Sequence, residues 1–175
     1  MSQELIGRLH ASLQKLIGFH RQLLEAVRAE KDALVQAEMR AIRETTCTKQ
    51  VLVESIKLEE AARLRVVAEL AAAWGKKPAE LPLSQIIIET QATSRGLDPK
   101  ITENLRSSLN ALTLLVKRVT EQNQENSRFV ERALEHVGNM KRNVLGEASP
   151  NSQTYTQQGT RSAASAGNRL ISREA

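Results

Sequence analysis

The side chains that could carry metal chemistry are scarce in this sequence and far apart. The chain holds three histidines and one cysteine. His10 and His20 would sit about 15 Å apart on a helix, which is too far to share a metal ion. No HExxH, CxxC or mixed His–Cys cluster occurs anywhere in the sequence. The sequence therefore predicts no metal site, and we interpret His20, which lies among apolar residues, as a hydrogen-bonded interior histidine.

Nucleophilic and acid–base chemistry find equally little support. Cys47 lies among threonines with no histidine nearby in sequence, whereas a catalytic thiol needs a base and an activating environment. We interpret it as a small helix-packing residue. Glu59 and Glu60 are adjacent, so on a helix they point about 100° apart and form no carboxylate pair. Residues 73–77 lack the strand, the spacing and the Ser/Thr of a phosphate-binding loop. We expect no enzymatic activity and no cofactor.

The composition favours long helices as the elements that position the remaining residues. The chain has 175 residues, the size of one domain, and aromatic residues make up only 2% of it. All-β domains rely on aromatic and β-branched residues, so this composition argues against a sandwich or barrel. Neither Gly nor Pro occurs in residues 19–74 or 100–137, which is typical of uninterrupted helix.

The spacing of apolar residues predicts a helical hairpin in the first half of the chain. The predicted stripe recurs at steps of three and four over residues 3–35, and the apolar residues of 38–74 lie near one helical face. One continuous helix of about 80–100 Å remains an alternative. We favour a tight turn near Gln36, because a lone helix of that length would leave its apolar stripe exposed. Gly75, followed by Pro78, ends the second helix.

Two further helices are predicted in the second half. Ser84 is predicted to be the N-cap of a short helix that continues through Gln91. Asp98 and Pro99 read as the N-cap and first residue of a third long helix. The apolar stripe of that helix comprises Ile101, Leu105, Leu109, Leu112, Val116, Val119, Asn123, Asn126, Val130, Ala133, Val137 and Met140.

These elements define an all-α fold, an antiparallel bundle of long helices with a flexible polar tail. The bundle consists of the helical hairpin, the third long helix and the short connecting helix, and we assign it to residues 1–146. Residues 147–175 are rich in Ser, Thr, Asn, Gln, Gly and Ala. Such a segment buries too little apolar surface to offset its ordering entropy, so we expect it to be disordered when free.

Cysteine use, hydropathy and charge indicate a cytoplasmic protein. One cysteine excludes an intramolecular disulfide, no apolar run approaches the ~20 residues that span a bilayer, and the first residues do not resemble a signal peptide. We expect no stable membrane insertion. The net charge is +5, but basic residues have acidic neighbours four positions away, as in Arg40 with Glu44 and Arg65 with Glu69. We therefore expect no nucleic-acid partner; a nucleic-acid binder would show steep salt dependence.

Charged and amide residues interrupt the predicted apolar stripes. If the hairpin turns near residue 37, Lys49 lies opposite Glu25, and Arg63 lies near the start of the first helix. Such residues fix register, or their stems run along the seam while their charges stay hydrated; both interpretations remain open. Asn123 and Asn126 either form hydrogen bonds within the bundle or contact a partner.

The order of several short patterns along the chain resembles a known family. They are Glu30…Ala33-Leu34, Lys49-x-x-Leu52, Leu58-Glu59-x-x-x-Arg63, Asn123-x-x-Asn126-x-x-Phe129-Val130, Thr154-Tyr155-x-x-x-Gly159 and Ile171-x-x-x-Ala175. This combination resembles the FlgN family of flagellar export chaperones over nearly the whole chain. One departure is residues 156–158, Thr-Gln-Gln, where the family often has a charged or Asp-containing turn.

The resemblance implies a cytoplasmic chaperone without ATPase activity. It implies that the chain binds the C-terminal helical segments of the hook–filament junction (hook-associated) proteins, prevents their premature association and delivers them to the flagellar type III export gate. Tyr155 becomes a candidate contact for that gate. Phe129, Val130, Leu134 and Val137 become candidates for the client surface; the alternative is that these four residues belong to the core. Another alternative is a structural coiled-coil adaptor that homodimerises through the same stripes, and a homodimer in the absence of client is also expected.

Overall fold

A computed structural model describes residues 2–91 and 99–145, and within them the chain is almost entirely helical. Helix α1 comprises Ser2–Gln36, α2 comprises Met39–Ala73, α3 comprises Leu83–Gln91 and α4 comprises Pro99–Leu145, with a single 3-10 turn at Pro78–Glu80 between α2 and α3. The all-α prediction is confirmed. The chain divides into two units, Met1–Val130 and Glu131–Ala175. The predicted tail, residues 147–175, lies outside the described residues.

Helices α1 and α2 form the predicted hairpin through a very short turn. Ala37 follows α1 with a φ of 55°, and its N–H donates to the carbonyl of Leu34 while the N–H of Glu38 donates to that of Ala33. This pair of bonds is the Schellman arrangement, which satisfies carbonyls at a helix C-terminus. The hairpin is therefore fixed by backbone hydrogen bonds, even though the left-handed residue is not glycine.

The two hairpin helices pack closely and run antiparallel. Ion pairs between Arg8 and Glu69, at 2.7 Å, and between Lys15 and Glu59, at 3.5 Å, set their register. Small buried residues, including Ala26, let the two backbones approach one another. Larger side chains then fill the core on either side of this contact.

Gly75 ends α2 as predicted, with a φ of 66° and the same pattern of backbone bonds seen after α1. The prediction for α3 needs a correction at its first residue. Ser84 lies inside α3, and the carbonyl of Pro82 accepts the first helical bond, from Ile86, at 3.0 Å. Pro82 thus stands where the serine was expected because a proline carbonyl can accept this bond as well as any other. Asp98, the predicted N-cap of α4, lies outside the described residues.

Residues 99–130 of α4 run parallel to α1 and antiparallel to α2. The side chain of Gln14 donates to Ser108 at 2.9 Å, and Lys31 bonds Glu125 at 2.9 Å, so the residue numbers on both helices rise in the same direction. Few Cα atoms of α4 approach those of α1 or α2 within 8 Å. Residues 99–130 of α4 therefore contact the hairpin through side chains, whereas the backbones of α1 and α2 lie closer to one another.

The core of the first unit is built from all four helices. One cluster lies near the start of α1 and a second lies nearer the hairpin turn, with Ile56 packed against both. The fully buried large side chains are Ile6, Leu9, Leu13, Leu16, Val27, Leu70, Leu81, Ile86 and Leu105.

The predicted stripe on α4 is wrong by one residue over its middle part. Val116 and Asn123 were placed on the buried face, but both are exposed, and the half-buried positions are Leu115 and Gln122. The buried face of α4 also carries polar residues, among them Ser108. The helix continues through Gly138 and ends at Leu145.

Candidate binding surfaces

A buried polar junction joins α1, α2 and α4 beside the second core cluster. Lys49 Nζ donates to Glu30 Oε1 at 2.6 Å, and Asn126 Nδ2 donates to Glu30 Oε2 at 3.0 Å. The same amide nitrogen donates to the carbonyl of Val27 at 2.8 Å. Both oxygens of the buried Glu30 carboxylate therefore have a donor, as a charge in this position requires.

The junction shows that Asn126 forms hydrogen bonds within the bundle, which was one of its two predicted roles. Asn126 is only 4% exposed, and its amide hydrogens point into the bundle. It is a structural residue, so it offers no surface to a partner. The predicted register of Lys49 is wrong by more than one helical turn: its partner is Glu30, not Glu25. Side chains tilt toward the N-terminus of their own helix, which carries the Lys49 ammonium toward the hairpin turn.

Arg63 does not reach the start of α1 as expected. Its Nε donates to Glu60 Oε2 at 2.8 Å, three residues earlier on the same helix. This hydrogen bond, helped by the charge of Arg63 and by that of His20, holds the pKa of Glu60 below its ordinary value despite partial burial. A weakly screened, half-buried ion pair thus lies on the side of α2 that lines the recess described below.

Two surface ion pairs also shift a pKa. A hydrogen bond from Lys31 and its charge lower the pKa of the Glu125 carboxyl. The hydrogen bond to Glu69 and its charge raise the pKa of the Arg8 guanidinium. All four side chains are about half exposed, so water screens both pairs and each contributes little to stability.

Three of the predicted partner residues lie at the surface of the first unit. Asn123 is exposed, and Phe129 and Val130 expose 43% and 36% of their surface. The alternative that Phe129 and Val130 are core residues does not hold for the described chain. Burial of an exposed phenylalanine by a partner is favourable in free energy, since its ring carries a large apolar area.

The second unit is described by its residues 131–145, a helical segment with an exposed apolar face. Leu134 and Val137, both predicted partner residues, expose 67% and 61% of their surface. At 100° per residue, one face of this segment is apolar and the opposite face carries charged and amide residues. The large side chains of the apolar face, each more than half exposed, are Leu134, Val137, Met140, Val144 and Leu145.

Sequence reasoning missed part of this face. Val144 and Leu145 were not among the predicted partner residues, and Met140 was assigned to the buried stripe. The signal was present, because the three-and-four spacing that contains Val137 continues through these positions. Tyr155, the remaining predicted partner residue, lies outside the described residues.

An apolar recess of about 400 Å³ lies in the first unit between α2, α4 and the link that precedes α3. Leu64, Leu109 and Leu112 line it, with Glu60 and Arg63 at its edge. Leu64 is half exposed there. The recess contains no unpaired charge among its lining residues, so it is suited to an apolar side chain rather than to a polar ligand.

The residues considered for chemistry are scattered in the described structure. Cys47 is exposed, so its predicted packing role is wrong. His20 is half-buried rather than interior, and its Nδ1 lies 2.8 Å from the carbonyl oxygen of Leu16, so the expected hydrogen bond is present. In residues 2–91 and 99–145, no group of three or more His, Cys, Asp or Glu side chains is placed to hold a metal ion. No helix in those same ranges is long and apolar enough to cross a membrane.

An all-α bundle with an uncovered amphipathic helical segment is typical of a protein that binds other helices. The model of one protein family, described as FlgN protein, matches residues 1–163. The chain therefore belongs to the FlgN family, whose members are flagellar export chaperones. Membership implies binding to flagellar export substrates in general. No match was found among curated proteins or among solved structures.

Proposed function

We propose that this protein is a cytoplasmic flagellar secretion chaperone for the hook–filament junction (hook-associated) proteins. It binds their C-terminal helical segments, prevents premature assembly and delivers the clients to the type III export gate. It acts by binding alone, without forming or breaking a covalent bond.

The observation that carries this proposal is the exposed apolar face of residues 131–145. Its large side chains are 54% to 81% exposed. A contiguous row of such residues on a protein surface marks an interaction site more often than it marks chance exposure. Family membership supplies the kind of partner, a flagellar export substrate.

The shape of this face suits a helical client. Leu134, Val137 and Met140 repeat at steps of three, and Val144 follows four residues later. This spacing matches the rows of side chains on a facing amphipathic helix, so that apolar residues of both helices interlock. A client helix that would otherwise associate with copies of itself is thereby kept apart from them.

The decisive experiment compares the two faces of the same segment. Isothermal titration measures binding of the full-length protein to a C-terminal segment of a hook–filament junction protein from the same host. Leu134→Ser combined with Val137→Ser removes much of the apolar face and should weaken binding at least tenfold, since each buried side chain contributes about 1.5–3 kcal/mol. The matched control, Arg132→Ser with Glu135→Ser on the polar face, should stay within about twofold.

Two results would contradict the proposal. One is equal loss of binding in the apolar and polar double variants at unchanged helicity. The other is loss of binding in Leu64→Ser, which would move the client site to the recess of the first unit. Circular dichroism at 222 nm checks that every variant keeps its helices.

The homodimeric adaptor is the competing function, and the same face favours it when no client is present. Sedimentation velocity separates the two. A chaperone should dimerise weakly through the apolar face and become a 1:1 complex when the client segment is added. A dimer that persists in excess client segment would support the adaptor instead.

A further inference from the structure

One charged residue lies within the apolar face of residues 131–145. Lys141 follows Val137 by four residues and precedes Leu145 by four. At 100° per residue it falls roughly 40° from each of them around the helix, near the middle of the face. The other charged side chains of the segment, such as Arg132 and Glu135, project from the opposite side.

The Lys141 ammonium has no partner within the described residues. Its side chain is exposed, and no hydrogen bond or ion pair to it is found in residues 2–91 and 99–145. The nearby Arg142, by contrast, donates to Asn139 on the polar face. Among the residues that the structure describes, Lys141 is thus an unpaired cation surrounded on its own helix by apolar side chains.

A partner that covers this face changes the surroundings of the Lys141 ammonium. A helix packed over Leu134, Val137 and Val144 removes water from around Lys141. An unpaired ammonium in such an interface is unfavourable, whereas one paired with a carboxylate is tolerated and fixes register. The apolar residues supply attraction and the lysine discriminates between partners.

We propose that the docking helix carries an Asp or Glu within its own apolar face, placed to pair with Lys141. The occupant is thus an amphipathic helix with one buried carboxylate, and Lys141 is the residue that selects it. This inference rests on the proposed function, because it names a property of the client that binds the same surface. A client helix that is apolar throughout its docking face should bind poorly.

The competing geometry is that the Lys141 stem packs on the interface while its ammonium reaches water at the edge. The two geometries predict opposite effects of removing the charge. Replacing a paired lysine with methionine leaves a carboxylate without its partner and weakens binding. Replacing an edge lysine with methionine adds apolar contact and leaves binding equal or tighter.

The experiment titrates the full-length protein with a synthetic C-terminal segment of a hook–filament junction protein from the same host. Lys141→Met should weaken binding at least tenfold at 50 mM NaCl. The parent protein should lose affinity when NaCl is raised from 50 to 500 mM, and Lys141→Met should show little of this salt dependence. Arg132→Met is the matched control; it deletes a cation from the polar face and should change affinity less than twofold. Unchanged circular dichroism is expected for both, because both side chains are exposed.

A charge exchange completes the test. Lys141→Glu should abolish binding, and a peptide in which the facing acidic residue is replaced by Lys should restore it. If Lys141→Met binds as tightly as the parent protein, or no charge-exchanged peptide rescues Lys141→Glu, this inference is overturned while the proposed function stands. If the parent protein does not bind the segment at all, both are overturned.

Discussion

Asn126 donates a hydrogen bond to the carboxylate of Glu30 at 3.0 Å, across 96 positions of sequence. This bond ties α4 to α1 at a point where Lys49 of α2 reaches the same carboxylate. Helix α4 has few close backbone approaches to the hairpin. Its placement therefore depends on side-chain contacts such as this one.

Removing the amide should destabilise the protein, because Glu30 would lose one of its two donors in a buried position. We expect Asn126→Ala to lower the free energy of unfolding by about 2 kcal/mol. Asn123→Ala, three residues away and exposed, should change it by no more than about 0.5 kcal/mol. Urea denaturation followed by circular dichroism at 222 nm measures both. Equal stability of the two variants would show that the junction contributes nothing.

The two helix ends with left-handed residues form a natural comparison. Ala37 and Gly75 have φ values of 55° and 66° and close the same backbone motif. Alanine in the left-handed region is strained by about 1–2 kcal/mol. Replacing it with glycine removes this strain, but part of the gain is lost because glycine loses more conformational entropy on folding. Ala37→Gly should therefore raise the free energy of unfolding by about 0.5–1 kcal/mol.

Gly75→Ala should have the opposite effect, a loss of about 1 kcal/mol. A Cβ at this position would meet no atom within 4 Å, so any loss reports backbone strain alone. Thermal denaturation of both variants provides the measurement. Shifts of the same sign in the two variants would refute this account of the turns.

Glu60 should contribute a pH-dependent part of the stability. Arg63 lowers the pKa of its carboxyl in the folded state, so the folded state favours the ionised form. The contribution is fully present above the unfolded pKa of about 4.3 and is lost as the pH falls through the lower folded pKa. We expect Glu60→Gln to cost about 0.5 kcal/mol at pH 7, since the pair is partly exposed.

The loss of unfolding free energy caused by Glu60→Gln should vanish at a pH below the folded pKa of Glu60, where the carboxyl of the parent protein is also neutral. Urea denaturation at pH 7 and at about pH 2.5 compares the two states. Glu54→Gln is the control, because Glu54 pairs with Lys57 at the same three-residue spacing but both side chains are about two-thirds exposed. A pH-independent effect of Glu60→Gln would contradict the prediction.

Tyr155→Ala should separate client binding from delivery. The resemblance that suggested Tyr155 as an export-gate contact assigns it no part in client binding. We expect the variant to bind the client segment with unchanged affinity and to reduce secretion of hook–filament junction proteins, measured by immunoblotting of culture supernatants. Tyr155→Phe, which keeps the ring, should secrete normally if the ring makes the contact. Loss of client binding in Tyr155→Ala would disprove this division of roles.

The hairpin could be predicted from sequence because each determinant is local. Apolar spacing defined the two helices, whereas the absence of Gly and Pro from residues 19–74 left one continuous helix as an alternative. A lone helix of that length would leave its apolar stripe exposed, which predicted a turn near Gln36, and α1 ends at that residue. The ion pair of Arg40 with Glu44 was also predicted, and it is present at 2.9 Å.

The face of α4 could not be fixed in the same way. Leu115 and Val116 are both apolar, and a pattern of alternating threes and fours drifts about 20° per heptad against a straight helix. Sequence spacing alone therefore did not choose between them. The partners of long charged side chains could not be predicted from sequence spacing either. Arg65 was predicted to pair with Glu69, but Glu69 forms its hydrogen bond with Arg8 of α1. Competition from a neighbouring helix decides such contacts.

The short link between α1 and α2 has a consequence for how the chain folds. Contacts within the hairpin can form outward from a two-residue turn, and its Lys49–Glu30 bond spans 19 positions, whereas the bonds that hold α4 span 94 to 99 positions. Local contacts form early because they close small loops. We expect the hairpin to arise first, even on the ribosome, and α4 to complete the core only after its own synthesis. The nascent hairpin then passes through a stage in which its remaining apolar side is uncovered.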